Sequence, residues 1–295
     1  MGCYNLKRGG NSIMRIKYHY APAISAHSRL TNFLEKRNIS YELCPLVGGT
    51  NYRLCVFDLY RDQDEFIEFR IRFPFLSWIT ESIEYTESEI ETAEWLFVRS
   101  MSKLVKWEYH SSAFQQSCEY KKPFLHDKYY KHSEQIKPLT ATQKMKWSTR
   151  RYFSGPDTAE DFIFCSKRAK NMLDGKWKGL NFFNVINIYG ESYDDLYQLV
   201  FERRLPVKAL CGGKETICRS CGRPVIRFKN VLLQLEIQKQ FIPDTDSVYS
   251  TGDVLADSLI GFPTYSLNIV PQSFYQYCKE KCMNHGMIYE PINLI

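Results

Sequence analysis

Two cysteines separated by two residues form the most chemically specific motif of this chain. Cys218 and Cys221 enclose an Arg-Ser pair and are followed by Gly222. Two thiolates at this spacing can bind one zinc ion, because the glycine lets the chain fold back until both sulfurs face the metal. The motif therefore predicts a structural zinc knuckle. The alternative is a pair of ordinary reduced thiols at a turn.

One knuckle supplies only half of a tetrahedral site, so further ligands are needed. Cys211 lies upstream, and Cys278 and Cys282 lie downstream. On one helix, residues four apart share a face, so Cys278 and Cys282 would present two sulfurs to the knuckle. The predicted metal ligands are therefore Cys218, Cys221, Cys278 and Cys282. Cys278 fits a buried hydrophobic position equally well, and that alternative stays open.

Acidic residues between 84 and 94 are a second group that could do chemistry, since paired carboxylates serve acid–base catalysis. The same residues also fit the exposed face of an amphipathic helix, which the pattern predicts from Thr86 to Met101. No histidine or metal-ligand pattern converges on them. The residues therefore favour a binding protein over an enzyme.

A basic stretch, residues 121–151, interleaves Lys and Arg with Tyr and Trp. Such a composition can hold single-stranded nucleic acid through phosphate contacts and base stacking. It also fits a solvated linker. The net charge of the whole chain is +6, with 39 basic and 33 acidic residues interleaved, so the chain is only mildly basic.

Length and composition predict the fold class. A chain of 295 residues with 44% hydrophobic residues can bury two cores, and 20 Tyr, 19 Phe and 5 Trp suit half-buried sheets. We expect an α+β fold: two mixed α/β lobes with largely antiparallel sheets and a zinc-knuckle-like insertion. Strands are predicted at 15–20, 39–46, 52–60 and 65–73, with a helix that ends at Asn38.

The domain organisation follows from where apolar periodicity is lost. The segment around Pro123, Pro138 and Pro156 has little of it. The predicted parts are a disordered extension over 1–13, an N-terminal α+β domain over 14–120, a basic Pro/Tyr-rich linker over 121–156 and a C-terminal α+β domain over 157–295.

The C-terminal domain contains two segments with one plan: a strand, a capped helix, a glycine and a returning strand. Aligning Ser166 with Pro271 also aligns Leu173 with Cys278, and Gly179 then matches Gly286 after a gap of two residues. The pattern predicts a repeated strand-helix-strand module. Alternatively, any two strand-helix-strand segments would align this well.

No stretch approaches the roughly 20 apolar residues of a membrane span, and the N-terminus lacks the layout of a signal peptide. Ten scattered cysteines do not form the dense framework of a small secreted scaffold. We therefore expect a cytoplasmic protein with free or metal-bound thiols and no membrane association.

Residues 160–295 resemble a known family. The order is a capped helix, then Asp194–Leu199, the Cys-x-x-Cys-Gly motif ending at Gly222, the segment Tyr265–Tyr275 and finally Tyr289–Ile292. This order resembles immunity-type proteins that carry CxxCG motifs and accompany bacterial polymorphic toxins. The second CxxCG motif of that family is absent and is replaced, if at all, by Cys278 and Cys282.

The resemblance implies a cytoplasmic protein that binds another protein, for example a toxin domain, and does no chemistry itself. Abundant Tyr and Trp fit this role, since both are favoured at interfaces. The net positive charge requires either an acidic partner or a local acidic patch. The alternative is a zinc-knuckle nucleic-acid-binding protein using the basic stretch and the arginines beside the knuckle.

Overall fold

The structure is a computed structural model of the whole chain. It describes residues 15–25, 28–45, 52–76, 80–101, 103–105, 114–116, 133–135, 137–144, 146–147, 151–156, 162–217, 222, 224–228, 235–251, 254–256 and 266–295.

The chain divides into two compact units, residues 1–87 and 88–295. The division lies earlier than the predicted end of the first domain at residue 120. The reason is a strand over Trp95–Ser100, which the sequence assigns to the first domain but which pairs with strands from the C-terminal end of the chain. The predicted extension over 1–13 lies outside the described residues.

Unit 1 is an antiparallel sheet covered by two helices. Its elements are β1 (Arg15–Tyr20), β2 (Ala23–Ser25), α1 (Arg29–Lys36), β3 (Tyr41–Pro45), β4 (Tyr52–Tyr60), α2 (Asp64–Arg72) and β5 (Thr80–Glu84). The strand order is β3-β4-β1-β5, and β2 extends β1 along the same edge of β4. Helix α1 joins β1 to β3 around β4, and α2 joins β4 to β5 around β1. This is the split β-α-β arrangement of ferredoxin-like folds.

An aromatic cluster holds the helices of unit 1 on the sheet. Alternation along β1 buries every second residue, including Tyr20, and leaves Lys17 on the opposite face. The Tyr20 ring stacks on Phe57 of β4 at 5.1 Å between centroids and meets Phe69 of α2 edge-on at 4.8 Å. Aromatic pairs of this kind contribute about 0.5–1.5 kcal/mol each beyond the area they bury.

The predicted strand over 65–73 is wrong, because these residues form α2. Ile67, Phe69 and Ile71 alternate as in a strand. Phe66, Phe69 and Phe73 are spaced as on one face of a helix, and this is the face that packs on the sheet. Phe69 is fully buried, whereas Ile67 and Ile71 are exposed.

Unit 2 contains more and shorter strands. Its elements are α3 (Glu87–Thr92), β6 (Trp95–Ser100), β7 (Lys103–Val105), β8 (Phe114–Gln116), β9 (Ser133–Gln135), β10 (Phe153–Pro156), β11 (Ile163–Ser166), α4 (Lys167–Leu173), β12 (Leu180–Ile186), β13 (Ser192–Phe201), β14 (Leu210–Cys211), β15 (Lys214–Ile217), β16 (Pro224–Phe228), β17 (Glu236–Ile237), β18 (Tyr249–Ser250), β19 (Val254–Ala256), β20 (Asn268–Pro271), α5 (Gln272–Glu280), β21 (Met287–Pro291) and β22 (Asn293–Leu294).

The sheet β18-β20-β6-β21 lies between two cores. Leu96 and Val98 of β6 face one core, whereas Trp95 and Phe97 face the other. A strand buried on both faces has a continuous apolar sequence, which periodicity alone does not separate from a buried helix. The predicted helix from Thr86 to Met101 is therefore too long, since α3 ends at Thr92 and β6 follows.

A second sheet of unit 2 has the order β12-β13-β11-β10-β7. Cys165 of β11 faces the core that contains Leu96, while Phe164 faces a further cluster with Leu139 and Leu196. Leu139 and Phe153 are fully buried, so the described part of the predicted linker over 121–156 packs into this unit. The remaining described strands of unit 2 form the small sheets β14-β17-β22, β15-β16-β19 and β8-β9.

The helices of unit 2 that pack on the core also belong to split β-α-β units. Helix α4 connects β11 to β12 around β13, and α5 connects β20 to β21 around β6. The predicted α+β class with largely antiparallel sheets is confirmed. None of the helices in the described part of the chain has the length and apolarity that crossing a bilayer requires.

Candidate protein-binding surfaces

The structure does not bring the predicted zinc ligands together as one described site. Cys218 and Cys221 lie outside the described residues, in the connection between the paired strands β15 and β16. Cys278 is fully buried, whereas Cys282 is exposed. Within the described ranges, no three His, Cys, Asp or Glu side chains form a cluster that could hold a metal ion.

Cys282 does not continue the face of α5 that carries Cys278, because the helix ends before it. The amide of Met283 donates to the carbonyl of Cys278 at 2.7 Å, and the amide of Cys282 donates to that of Lys279 at 3.0 Å. Cys282 has φ +53°, the left-handed conformation that closes many helices. The expected pairing of the two sulfurs on one helical face is therefore not seen.

Cys278 is a core residue. Burial raises the pKa of its thiol to about 12, although a hydrogen bond with Tyr289 opposes the change. A thiol held in this state is neutral and packs as a small hydrophobic side chain. Cys211, by contrast, is partly exposed and its sulfur accepts a hydrogen bond from Gln238 at 3.4 Å.

The acidic residues near α3 are used in ion pairs. Glu94 contacts the ammonium of Lys239 at 2.7 Å, and Glu91 pairs with Lys279 of α5. These contacts join α3 and the short segment after it to later parts of unit 2. They fit the interpretation as a solvated helix face rather than a catalytic pair.

The face of the unit 1 sheet opposite the helices carries a connected polar network. The ammonium of Lys17 lies 2.9 Å from Asp58 and 3.1 Å from Glu84. His19 Nδ1 lies 2.7 Å from Asp58 Oδ1, and the Tyr60 hydroxyl donates to Glu84 at 2.9 Å. Each carboxylate thus has two partners.

The pKa shifts in this network argue against proton transfer. The hydrogen bond to Asp58 raises the pKa of Lys17 well above its ordinary value, against the effect of partial burial. Partial burial acts to raise the pKa of Asp58, but hydrogen bonds with His19 and Lys17 together hold it below its ordinary value. Both groups are thus fixed in their charged forms at neutral pH, whereas a general acid or base titrates near the working pH.

The tip loop of the β12–β13 hairpin, residues 187–191, presents two large apolar side chains. Tyr189 is 82% exposed and Ile188 is 60% exposed. Asn187 Oδ1 accepts hydrogen bonds from the amides of Tyr189, at 2.8 Å, and Glu191, at 3.0 Å. Its Nδ2 donates to the Glu191 carboxylate at 2.9 Å, and Gly190 has φ +83°. Backbone hydrogen bonds also close the loop, from the Asn187 amide to the Glu191 carbonyl at 2.8 Å and from the Gly190 amide to the Asn187 carbonyl at 3.0 Å. The Asn187 side chain and these bonds together fix the loop that exposes Ile188 and Tyr189.

The base of this hairpin is braced by a neighbouring segment. Backbone hydrogen bonds join Ile186 to both Leu139 and Ala141, at 3.0 and 2.9 Å. The hydroxyl of Tyr193 donates to the carbonyl of Ala141 at 3.3 Å. Leu139 and Ala141 are fully buried, so the base of the hairpin is hydrogen-bonded to a segment that belongs to the core.

The hairpin sequence that carries the tip loop is acidic, although the neighbouring segment that pairs with Ile186 carries exposed Lys137, Lys144 and Lys146. Glu191 and Asp194 are exposed and Asp195 is partly exposed, whereas residues 187–196 contain no Lys or Arg. Burial raises the pKa of Tyr193, and the charge of Asp195 adds to the effect. A net basic chain thus carries a short acidic stretch of sequence beside exposed apolar groups.

Sequence reasoning missed this site. The signal was present: two alternating strands flank a loop that begins with Asn and contains Gly, and its middle residues are Ile and Tyr instead of polar ones. No known protein family, curated protein or solved structure matches the chain.

Proposed function

We propose that this chain is a non-enzymatic cytoplasmic protein-binding module whose tip loop inserts Ile188 and Tyr189 into a pocket of its partner. The observation that carries the proposal is the exposure of these two side chains on a loop held by Asn187. Tyrosine is enriched among residues that dominate binding energy. A loop fixed before binding also loses less conformational entropy on association.

The charges around the tip loop specify the partner further. Glu191, Asp194 and Asp195 favour a pocket with a basic rim. Together with the resemblance of residues 160–295, this supports a specific form of the proposal, an immunity protein that neutralises a cognate bacterial toxin. An acidic tip loop removes the conflict between a net charge of +6 and a basic partner.

Affinity capture from the organism that encodes the chain tests the proposal. The bait proteins are wild type, a tip variant with Ile188→Ser and Tyr189→Ser, and a matched control with Tyr52→Ser and Ile67→Ser, which are also exposed. We expect one protein to be captured by wild type and control but not by the tip variant. If that protein stops growth when expressed alone, co-expressed wild type restores growth and the tip variant does not. Equal capture by all three baits would contradict the proposal.

A structural zinc site at Cys218 and Cys221 is part of the proposal. The motif joins the paired strands β15 and β16, and a hairpin connection is where zinc knuckles occur. Gly222, the last residue of the motif, has φ +72°. Zinc there would hold the connection in one shape and would do no chemistry.

We also propose that the two C-terminal split β-α-β units are an internal repeat. Ala169 and Leu173 of α4 and the aligned Phe274 and Cys278 of α5 are all fully buried. The aligned Gly179 and Gly286 both have positive φ. This agreement in buried helix positions and in backbone conformation supports the repeat.

The alternative function is nucleic-acid binding through the zinc knuckle and the basic stretch. Of the residues that would carry it, Lys121, Lys122, Lys128, Lys131 and Arg219 lie outside the described residues, whereas Lys144, Arg151 and Arg227 lie within them. For a protein-binding module we expect only non-specific affinity for oligonucleotides, with dissociation constants of roughly 10⁻⁴ to 10⁻⁶ M at physiological salt. Nanomolar binding that falls steeply with salt would support the alternative.

A further inference from the structure

A basic groove on unit 1 has no role in the tip loop or the zinc site. It lies between α1 and the end of α2 and has a volume of about 430 Å³. Its lining residues are Arg29, Asn32, Phe33, Lys36, Arg72 and Phe73. Three of these six are cations and none is an acid.

The floor of the groove is aromatic. The rings of Phe33 and Phe73 meet edge-on with centroids 5.6 Å apart. The Arg72 guanidinium lies 5.6 Å from the centre of the Phe33 ring, within reach of a cation–π contact. A ligand that fits must therefore combine an apolar part with a group that the cations recognise.

The cations of the groove are only partly neutralised. Arg72 contacts Glu68 at 2.8 Å, and Arg37 binds the same carboxylate. Arg29 and Lys36 are exposed, and neither forms an ion pair with any residue that the structure describes. The Glu68 carboxylate is thus shared by two arginines, while Arg29 and Lys36 add two further positive charges. The groove therefore has a net positive charge that attracts anions.

We propose that this groove binds an acidic segment of a protein partner, with a carboxylate between Arg29, Lys36 and Arg72 and a neighbouring aromatic or aliphatic side chain on the partly exposed Phe73, beneath which Phe33 is buried. Charge complementarity selects the carboxylate, and the aromatic floor selects the apolar neighbour. The groove belongs to unit 1 and the tip loop to unit 2, so the two contacts can be tested separately.

NMR titration of the full chain with phenylacetate tests the groove, because this probe joins a carboxylate to a phenyl ring. We expect millimolar binding, with amide shifts over Arg29–Lys36 and at Arg72 and Phe73. The neutral isostere 2-phenylethanol and acetate alone should each bind about five-fold more weakly or worse. Equal shifts with 2-phenylethanol, or shifts scattered over the chain, would overturn the proposal.

Variants separate the groove from general charge effects. Lys36→Glu and Arg29→Glu should weaken phenylacetate binding about five-fold each, while Arg61→Glu, an exposed control on the same unit, should not. Lys36→Gln gives a milder change that keeps the helix polar and guards against misfolding.

A peptide of alternating Asp and Phe should bind more tightly than phenylacetate, and its Lys/Phe counterpart should not bind. Tighter binding of inorganic phosphate or of a single-stranded oligonucleotide than of the acidic peptide would overturn the assignment to a protein segment. The Lys36→Glu variant leaves the tip loop unchanged and can be used in the capture experiment. The groove proposal and the tip-loop proposal can therefore fail independently.

Discussion

The side chain of Asn187 fixes the position of Tyr189, because its Oδ1 accepts a hydrogen bond from the Tyr189 amide at 2.8 Å. The same oxygen accepts from the amide of Glu191, and backbone hydrogen bonds between Asn187 and Glu191 and between Gly190 and Asn187 add to the closure of the tip loop. An aromatic side chain that is 82% exposed is thereby held on a rigid support.

Asn187→Ala should loosen the tip loop without changing its apolar groups. Two amides lose their acceptor, and we expect hydrogen exchange at Tyr189 and Glu191 to rise about five-fold, since an exposed hydrogen bond contributes about 1 kcal/mol. Tyr189→Ala is the control, because it removes the ring and keeps the hydrogen bonds. Unchanged exchange in Asn187→Ala would show that the backbone alone fixes the loop.

Cys282→Gly should stabilise the protein by about 1 kcal/mol, because glycine adopts the left-handed conformation without the steric cost that a side chain incurs. The comparison is Cys282→Ala, which keeps that cost and should be nearly neutral. Urea unfolding measures both. A loss of stability in Cys282→Gly, together with a loss of bound zinc, would instead indicate that Cys282 is a metal ligand.

Zinc content tests the knuckle directly. We expect about one zinc per chain in the wild type and a large loss in Cys218→Ser and in Cys221→Ser, with lower thermal stability because metal binding is coupled to folding. Cys278→Ala should retain the zinc, since its sulfur is buried in the core. Near-zero zinc in every protein, measured by elemental analysis, would refute the site.

The polar network of unit 1 predicts a pH dependence. The folded-state pKa of Asp58 lies below its unfolded value of about 3.9, so the stability it adds is complete above that value and is lost as the pH falls through the folded pKa. Asp58→Asn should cost about 0.5 kcal/mol at pH 7, because the pair is partly exposed, and almost nothing near pH 2.

Urea unfolding followed through the methyl resonances of Ile16 and Leu59 measures this difference. Asp62→Asn, which affects a more exposed carboxylate paired with Arg15, is the control and should change little at either pH. A difference between wild type and Asp58→Asn that persists at pH 2 would contradict the electrostatic explanation.

Local patterns predicted many single elements of the fold. The strand over 52–60 lies where the sequence placed it. The capped helix predicted in the segment from Ser166 to Gly179 is α4, Lys167–Leu173, and Ser166 caps it by accepting from the amide of Ala169 at 3.3 Å. In these elements one periodicity dominates. In α2 two periodicities coexist, and only packing against Tyr20 and Phe57 selects the helix.

The pairing of strands that are distant along the chain could not be predicted from local sequence patterns. Nothing local to Trp95–Ser100 indicates that it pairs with Asn268–Pro271 and Met287–Pro291, so the boundary between the units was misplaced. The candidate sites also depend on contacts between residues that are distant in sequence. The groove needs α1 and α2 to meet, and the tip loop needs Leu139 beneath the hairpin, so neither followed from neighbouring residues.

Crosslinking from the tip loop tests the central claim most directly. A photoreactive phenylalanine analogue replaces Tyr189 in one protein and the exposed Tyr52 in a control, both expressed in the organism that encodes the chain. We predict one discrete protein adduct from position 189 and none from position 52. Added wild-type protein should abolish the adduct, whereas the variant carrying Ile188→Ser and Tyr189→Ser should not. Adducts to nucleic acid alone, or identical adducts from both positions, would contradict the account.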